Sequence, residues 1–536
     1  MNMSDGPMRP RRSSGASRRH FLATAVLGAS LGAGARAQSS AGPRPRLIED
    51  PFTLGVASGY PHPGGMVLWT RLAPRPAQPG GGMPQVPVQI NYLVATDEAL
   101  NEVVQRGQVW AEPAWAHSVH VELQGLQPNR WYRYRFDIDG WHSSVGRTRT
   151  TPAASADAAG LRLRLAVAAC QHYEVGYFAA YRQMVADRPD LIVHLGDYIY
   201  EGSAGAGATR NIPEGVPYAL DDYRIRHARY KLDPDLQRAH ASCPWLVTWD
   251  DHEVENDYAG DRSQNNDPPQ WFLERRAAAY RAYYEHMPLP RRMVPMGPHA
   301  RLYDEVWYGS LARLFMLDGR QFRTPQACNA PGRGGGAAVD PARCAALLDP
   351  ARSFFGAPQR DWLLSRMPAA TQIPWNLFGQ QTLFQPALIH SRGKPWIHTE
   401  GWDGYPAERQ ALLDAMADPR TRNPVVLSGD VHAFYANALK QRDDDPASKS
   451  VATEFVCGAL TSSTPAPWYV EQVQREHAAV KYVHTARRGY LRIELTSERL
   501  VADVMGVVDV RRADSPTESI ASLVVHADRP GPIVLR

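Results

Sequence analysis

The chain has 536 residues, 44% hydrophobic and 21% charged, a globular composition long enough for two domains and unlike that of a disordered or fibrous chain. Its formal charge of +4 originates at the N-terminus, because residues 1–37 hold six Arg and one Asp and leave the remainder near −1. No Lys/Arg run interleaved with aromatics follows, so a nucleic-acid partner is not expected.

The first element, "SRRHFLATAVLGASLGAGARA", pairs Arg18 with Arg19, runs apolar from Phe21 to Ala33 and closes in Ala35-Arg36-Ala37, an A-x-A cleavage pattern. This reads as a twin-arginine signal over 1–37. The apolar run is too short and too rich in Gly and Ala for a good spanning helix. The expected product is a soluble periplasmic or secreted protein without a stable membrane anchor, a monomer by default, with the twin-arginine export machinery as its transit partner. The cysteine count of five is odd for an exported chain, leaving at least one thiol unpaired. Cys328 and Cys344 flank a Gly- and Pro-rich loop and are expected to pair, a closure that contributes on the order of 3 kcal/mol.

From Pro51 to about Thr151 come short alternating segments, "GMVLWTRL", "PVQINYLVAT", "HSVHVELQGL", "RWYRYRFDIDG" and "HSSVGRTRT", separated by turn residues. They predict an N-terminal β-sandwich over 38–151 of fibronectin/Ig type, with Leu126, Pro128, Tyr132 and Tyr134 at its corner and strand. After the small-residue linker "TPAASADAAG" the period changes. "RLRLAVAAC" is a strand, Tyr177, Phe178, Tyr181 and Val185 share a helical face, and "PDLIVHLGD" is the next strand. Such a βαβ unit predicts parallel strands in a covered α/β sheet over 160–536. "CPWLVTWDD", "LARLFMLDGRQF", "WNLFGQQTLF" and "NPVVLSGDVH" are further strands, with helices such as "QWFLERRAAAYRAYYEHM" and "APQRDWLLSRM" between them, and "RGYLRIELTSERLVADVMGV" reads as an edge hairpin.

The chemistry lies where these strands end. They run into Cys170-Gln171-His172, Gly196-Asp197 with Tyr200 one turn on, Asp250-Asp251-His252-Glu253, and Gly429-Asp430-Val431-His432. Open α/β sheets bind ligands at the carboxyl ends of strands. A lone Asp there is usually a cap and a lone Cys a small buried hydrophobe, but four ligand-rich ends in one domain form a site. Asp250 either caps its turn or orients Asp251. Arg320 either meets phosphate or pairs with Asp318. His172 sits at the rim, and His390 and His398 are candidates for a further metal-ligating His.

In this order "ACQ", "HLGDYIYE", "WDDHEVEND" and "SGDVH" resemble the PhoD-type alkaline phosphatases, relatives of the calcineurin-like metallophosphoesterases and purple acid phosphatases. "FGQQTLF", "LDGRQFRT", "DPARSFFGAPQRDWL" and "GYLRIEL" fit the same family, and the resemblance runs from about Pro51 to the C-terminus. It implies an α/β (α+β) fold, a two-sheet αββα sandwich behind the N-terminal β-sandwich. It also implies Fe3+ held by Cys170, Asp197, Tyr200 and His432, with Asp197 bridging to a Ca2+ site that takes Asp251 and Asp430. His252 would be the catalytic residue facing substrate or leaving group. The ions suit the donors: phenolate, carboxylate and thiolate for a hard, highly charged cation, carboxylates for calcium. The implied function is an exported alkaline phosphatase that hydrolyses small phosphate monoesters, with diesters as a second class, through attack by a metal-bound hydroxide. Two alternatives are a phosphodiesterase or phospholipase D-like enzyme and a non-catalytic binding protein stabilised by metal.

Overall fold

Alternation at period two builds two large sheets, which carry the candidate ligands on their facing strand ends. The computed structural model describes residues 46–535 except 370, 371 and 446, so the signal expected over 1–37 lies outside the described residues. One sheet has ten strands in the order Arg529–Val534, Thr517–His526, Arg499–Val507, Arg488–Leu495, Leu163–Ala168, Leu191–His194, Pro244–Val247, Val56–His62, Gly65–Arg71 and Ser118–Glu122. The strands from Leu163–Ala168 to Val56–His62 are parallel. A second sheet orders Asp304–Tyr308, Ala312–Met316, Trp375–Gly379, Pro424–Ser428, Ser450–Val456, Phe434–Lys440 and Val480–His484, with its four central strands, Ala312–Met316 through Ser450–Val456, parallel.

Side chains alternate as the pleat requires. Leu314, Leu377, Val425 and Leu427 join the core between the sheets, together with Leu165, Val167 and Val193 of the first sheet. Their neighbours Phe315, Phe378 and Val426 point the other way and are covered by Leu363 of the helix Gly356–Arg366 and Leu412 and Met416 of the helix Pro406–Met416. On the far side of the first sheet Trp245 lies 5.8 Å from Tyr181 and 3.9 Å from His240 between ring centroids. The helix carrying Tyr181 begins at Ala180, so Tyr177 and Phe178 lead into it rather than share its face. These layers are the αββα sandwich.

The N-terminal sandwich shares a layer with the main fold. Its first layer is the end of the ten-stranded sheet, through Val56–His62, Gly65–Arg71 and Ser118–Glu122. Its second layer pairs Val103–Ala111, Val88–Ala95 and Trp131–Ile138, with Trp141–His142 and Gly146–Arg149 also on the last of these. Leu68, Val119, Ile90 and Phe136 meet in the core between the layers. Tyr132 makes the expected corner, its hydroxyl accepting the Gln127 N–H at 2.9 Å. The C-terminal hairpin is not at an edge. Arg488–Leu495 pairs antiparallel with Leu163–Ala168, and two further strands lie outside the hairpin. Antiparallel pairing reaches a sheet interior without a crossover helix, so hairpin patterning alone could not place it.

Candidate metal centre

Three core strands run into turns that hold candidate ligands in the left-handed backbone region: Cys170 at φ 58°, Asp197 at 54°, Asp430 at 61° and His432 at 55°. Each such residue costs on the order of 1 kcal/mol, and strain of this kind gathers at functional sites. Gly196, at φ 112°, lies so close to the next turn that a Cβ there would sit 2.5 Å from the Asp250 Cβ. Only glycine lets the two strand ends approach. Glu253 ties them together, because its carboxylate accepts the N–H groups of Asp197, Tyr198 and Asp250 at 3.2, 2.6 and 2.8 Å.

The ligand atoms of Cys170, Asp197 and His432 fall within 4.8 Å of one another. Tyr200 belongs with them: its hydroxyl donates to Asp197 Oδ2 at 2.7 Å and lies 3.1 Å from His432 Nε2. Asp197 also groups with Asp251 and His252, and Asp250, Asp251 and Asp430 form a third cluster on the same criterion. Asp197 and Asp251 are therefore shared. Oδ1 of each is buried without a hydrogen-bond partner, an arrangement that is costly unless something else satisfies the oxygen. A cation on either side of Asp197 would do so, and the mixed sulfur, phenol, carboxylate and imidazole set on one side fits a different ion from the carboxylates on the other.

The centre opens on one edge. The side chains of His252, Asp430 and His432 are 19, 22 and 25% exposed, whereas those of Asp197 and Asp251 are 1 and 3%. A structural metal site would be closed. On the open edge His252 Nδ1 lies 2.6 Å from Glu201 Oε2, and the other Glu201 oxygen accepts the Asn256 N–H at 2.8 Å. The Tyr200 ring stacks 4.3 Å from His172 and lies 4.1 Å from His252.

Charge in the centre is unbalanced. Burial first, then the Asp197 carboxylate, pushes the Cys170 thiol and the Tyr200 phenol well above their ordinary values. Burial and Glu400 lift Asp430 to about 7 against the pull of Arg320. Burial and Asp197 lift Glu253 to about 8. Burial disfavours a charged His252, yet Glu201, Asp197 and Asp251 together raise it well above the usual imidazole range. His172 goes the other way, to about 4, through burial and the neighbouring His252. Against burial, Arg320 and His252 together take Asp251 down, so the excess negative charge is felt at Cys170, Tyr200, Asp430 and Glu253.

Every metal-ligating residue expected from the strand ends reaches this centre, with His252 beside them. Arg320 does not make the expected ion pair with Asp318. Its buried guanidinium pairs with Asp250 and Glu400 and places Nη2 3.6 Å from Asp251 Oδ1 and 3.8 Å from Asp430 Oδ1, while Asp318 accepts only its backbone N–H, at 2.9 Å. His390 pairs with Glu476 instead, at 2.8 Å, and His398 lines the cleft beside Asp430. Sequence reasoning missed Glu201, although it follows Tyr200 directly. It also missed Thr382, whose hydroxyl donates to Asp430 Oδ2 at 2.6 Å, and Ser462, whose Oγ is 2.8 Å from the Tyr200 oxygen. Neither Thr382 nor Ser462 carries a local signal, because each arrives from a distant loop.

Comparison with known proteins identifies the family. The family profile described as PhoD-like phosphatase matches residues 165–504, and that of the PhoD-like phosphatase N-terminal domain matches 36–152. The chain is 40% identical to alkaline phosphatase D of Bacillus subtilis (strain 168) over 497 residues, covering 91% of this chain and 83% of that protein. A solved PhoD structure superposes with a TM-score of 0.86 at 39% identity, over 92% of this chain and 93% of that one. A purple acid phosphatase from yellow lupin seeds shares the fold, with a TM-score of 0.51 at 12% identity over 87% and 73% of the two chains. The chain belongs to the PhoD-like phosphatase family and is a metal-dependent phosphoesterase.

Proposed function

We propose that this protein is an exported alkaline phosphatase whose principal substrates are small phosphate monoesters, with Fe3+ held by Cys170, Asp197, Tyr200 and His432 and Ca2+ by Asp197, Asp251 and Asp430. The observation that carries this reading is Asp197, a buried carboxylate with an unpartnered Oδ1 that belongs both to the Cys170/His432 cluster and to the Asp251/His252 cluster. Such cations supply Lewis acidity to the phosphoryl oxygens and an acidified water as nucleophile. The chain's own residues supply the rest. Cys170, Tyr200 and Asp197 bring the negative charge that the ions require. Glu201 orients His252 and keeps it protonated, so that His252 donates a proton to the departing alcohol oxygen. Thr382 fixes the rotamer of Asp430. The arginine pair and cleavage pattern of residues 1–37 support twin-arginine export, and among the described residues no helix is long and apolar enough to cross a membrane.

The test compares p-nitrophenyl phosphate with bis(p-nitrophenyl) phosphate across a calcium series, for wild type and Asp251→Asn. The expected result is a higher kcat/KM on the monoester, and a calcium requirement raised about tenfold or more by Asp251→Asn. A kcat/KM that is higher on the diester would replace the monoester assignment with a phosphodiesterase one.

A further inference from the structure

The disulfide-closed loop is packed against the back of the carboxylate cluster. Cys328 and Cys344 are joined, and the loop between them carries Gly334-Gly335-Gly336. The Gly336 N–H donates to Asp257 Oδ2 at 3.0 Å, and the Asp257 N–H donates to Asp251 Oδ2 at 2.7 Å. A Cβ on Gly336 would lie 2.4 Å from the Glu400 Cβ. Glu400 in turn holds Arg320, the residue that faces Asp250, Asp251 and Asp430. The loop is fixed from its far side as well, since Ala338–Val339 pairs with Lys394–His398 and the Thr399 N–H donates to Ala337 O at 3.0 Å. Among the described residues, Cys170, Tyr200 and His432 are supported instead from the Ser462–Ser463 turn.

We propose that Gly336, Asp257 and Glu400, held in place by the Cys328–Cys344 bond, are positioning residues for the Asp251/Asp430 end of the centre and set its affinity for a divalent cation. This rests on the two-cation reading above. One branch fixes Asp251 through the Asp257 backbone, so that its Oδ2 is occupied and Oδ1 is left for the cation. The other fixes Arg320 through Glu400, so that the guanidinium pairs closely with Asp250 and stays 3.6 Å from Asp251 and 3.8 Å from Asp430. A loop free to move away loosens both branches together.

The experiment uses the full mature chain as wild type, as Cys328→Ser/Cys344→Ser and as Gly336→Ala. Gly336→Ala keeps the disulfide and crowds Glu400, so it carries the test if the double variant does not fold. Hydrogen–deuterium exchange on chelator-treated protein is expected to rise about tenfold or more at residues 251–257 and to stay at the wild-type level at 460–463, where backbone N–H groups bond to Ala169 O and Cys170 O. Calcium titration is expected to show a dissociation constant weakened about tenfold or more, with the visible iron band retained. Unchanged exchange at 251–257, or an equal rise at 460–463, would overturn the proposal. A wild-type chain that binds no calcium, with the exchange pattern as expected, would refute the calcium assignment and leave the positioning route standing.

Discussion

His252 owes its charge to three carboxylates, Glu201 foremost. Burial works against the imidazolium, and the Glu201 carboxylate at 2.6 Å does most to oppose that loss. An acid acts only while protonated, so kcat should fall with rising pH as His252 loses its proton. Glu201→Gln keeps a hydrogen-bonding partner but removes the charge, which lowers the His252 value and should move that alkaline limb to lower pH. His252→Asn should reduce kcat on the order of 100-fold or more, the usual range for a lost general acid, with a much smaller change in KM. The kcat–pH profiles of the two variants check both statements. An alkaline limb that does not move in Glu201→Gln would assign it to another group.

Between the strand ends, Glu253 acts as a clip. Its two carboxylate oxygens accept three backbone N–H groups from two different turns. A carboxamide would turn one acceptor into a donor facing an N–H. Glu253→Gln should therefore cost about 1–3 kcal/mol of stability and lower the metal content after dialysis, as measured by urea unfolding and elemental analysis. At this scale the sequence was legible where an apolar strand ran straight into its ligand, as "DLIVHLGD" and "PVVLSGDVH" do. It was not legible where position depends on partners far along the chain. Arg320 reaches Asp250 across 70 residues and Glu400 across 80, so its local neighbour Asp318 suggested the wrong pairing. The edge reading of the 488–507 hairpin failed similarly, because strand order in a sheet is a property of the whole fold. Alternation also marked most N-terminal strands but missed Val56–His62 and could not show that this strand, Gly65–Arg71 and Ser118–Glu122 belong to the ten-stranded sheet.

Away from the centre, the molecule buries a group of basic side chains among aromatics. Both ring nitrogens of His227 lack partners, its ring lies 5.0 Å from that of His286, and Lys231 sits 3.3 Å from His240 and 4.3 Å from the Trp69 ring. Burial alone holds His194 at about 3, and burial with Lys231 and Arg71 holds His227 at about 3. Burial likewise lowers His240 and His286 well below their usual range. These groups take up a proton in the unfolded chain near pH 6.5 but not in the fold until far lower. The unfolded state then binds more protons, and stability should fall as pH drops from about 6.5 toward 3, by ~1.4 kcal/mol per pH unit for each such histidine. Urea midpoints at pH 7.5 and 5 should differ accordingly, and His227→Phe should flatten the slope by about one proton.

The proposed activity depends on a pair of cations flanking Asp197. The most direct measurement is elemental analysis with a visible absorption spectrum of the folded protein, beside Tyr200→Phe. Iron and calcium both present, with a tyrosinate-to-iron band in the wild type that vanishes in Tyr200→Phe, is the predicted result. An active wild-type enzyme that is colourless and free of iron would contradict it.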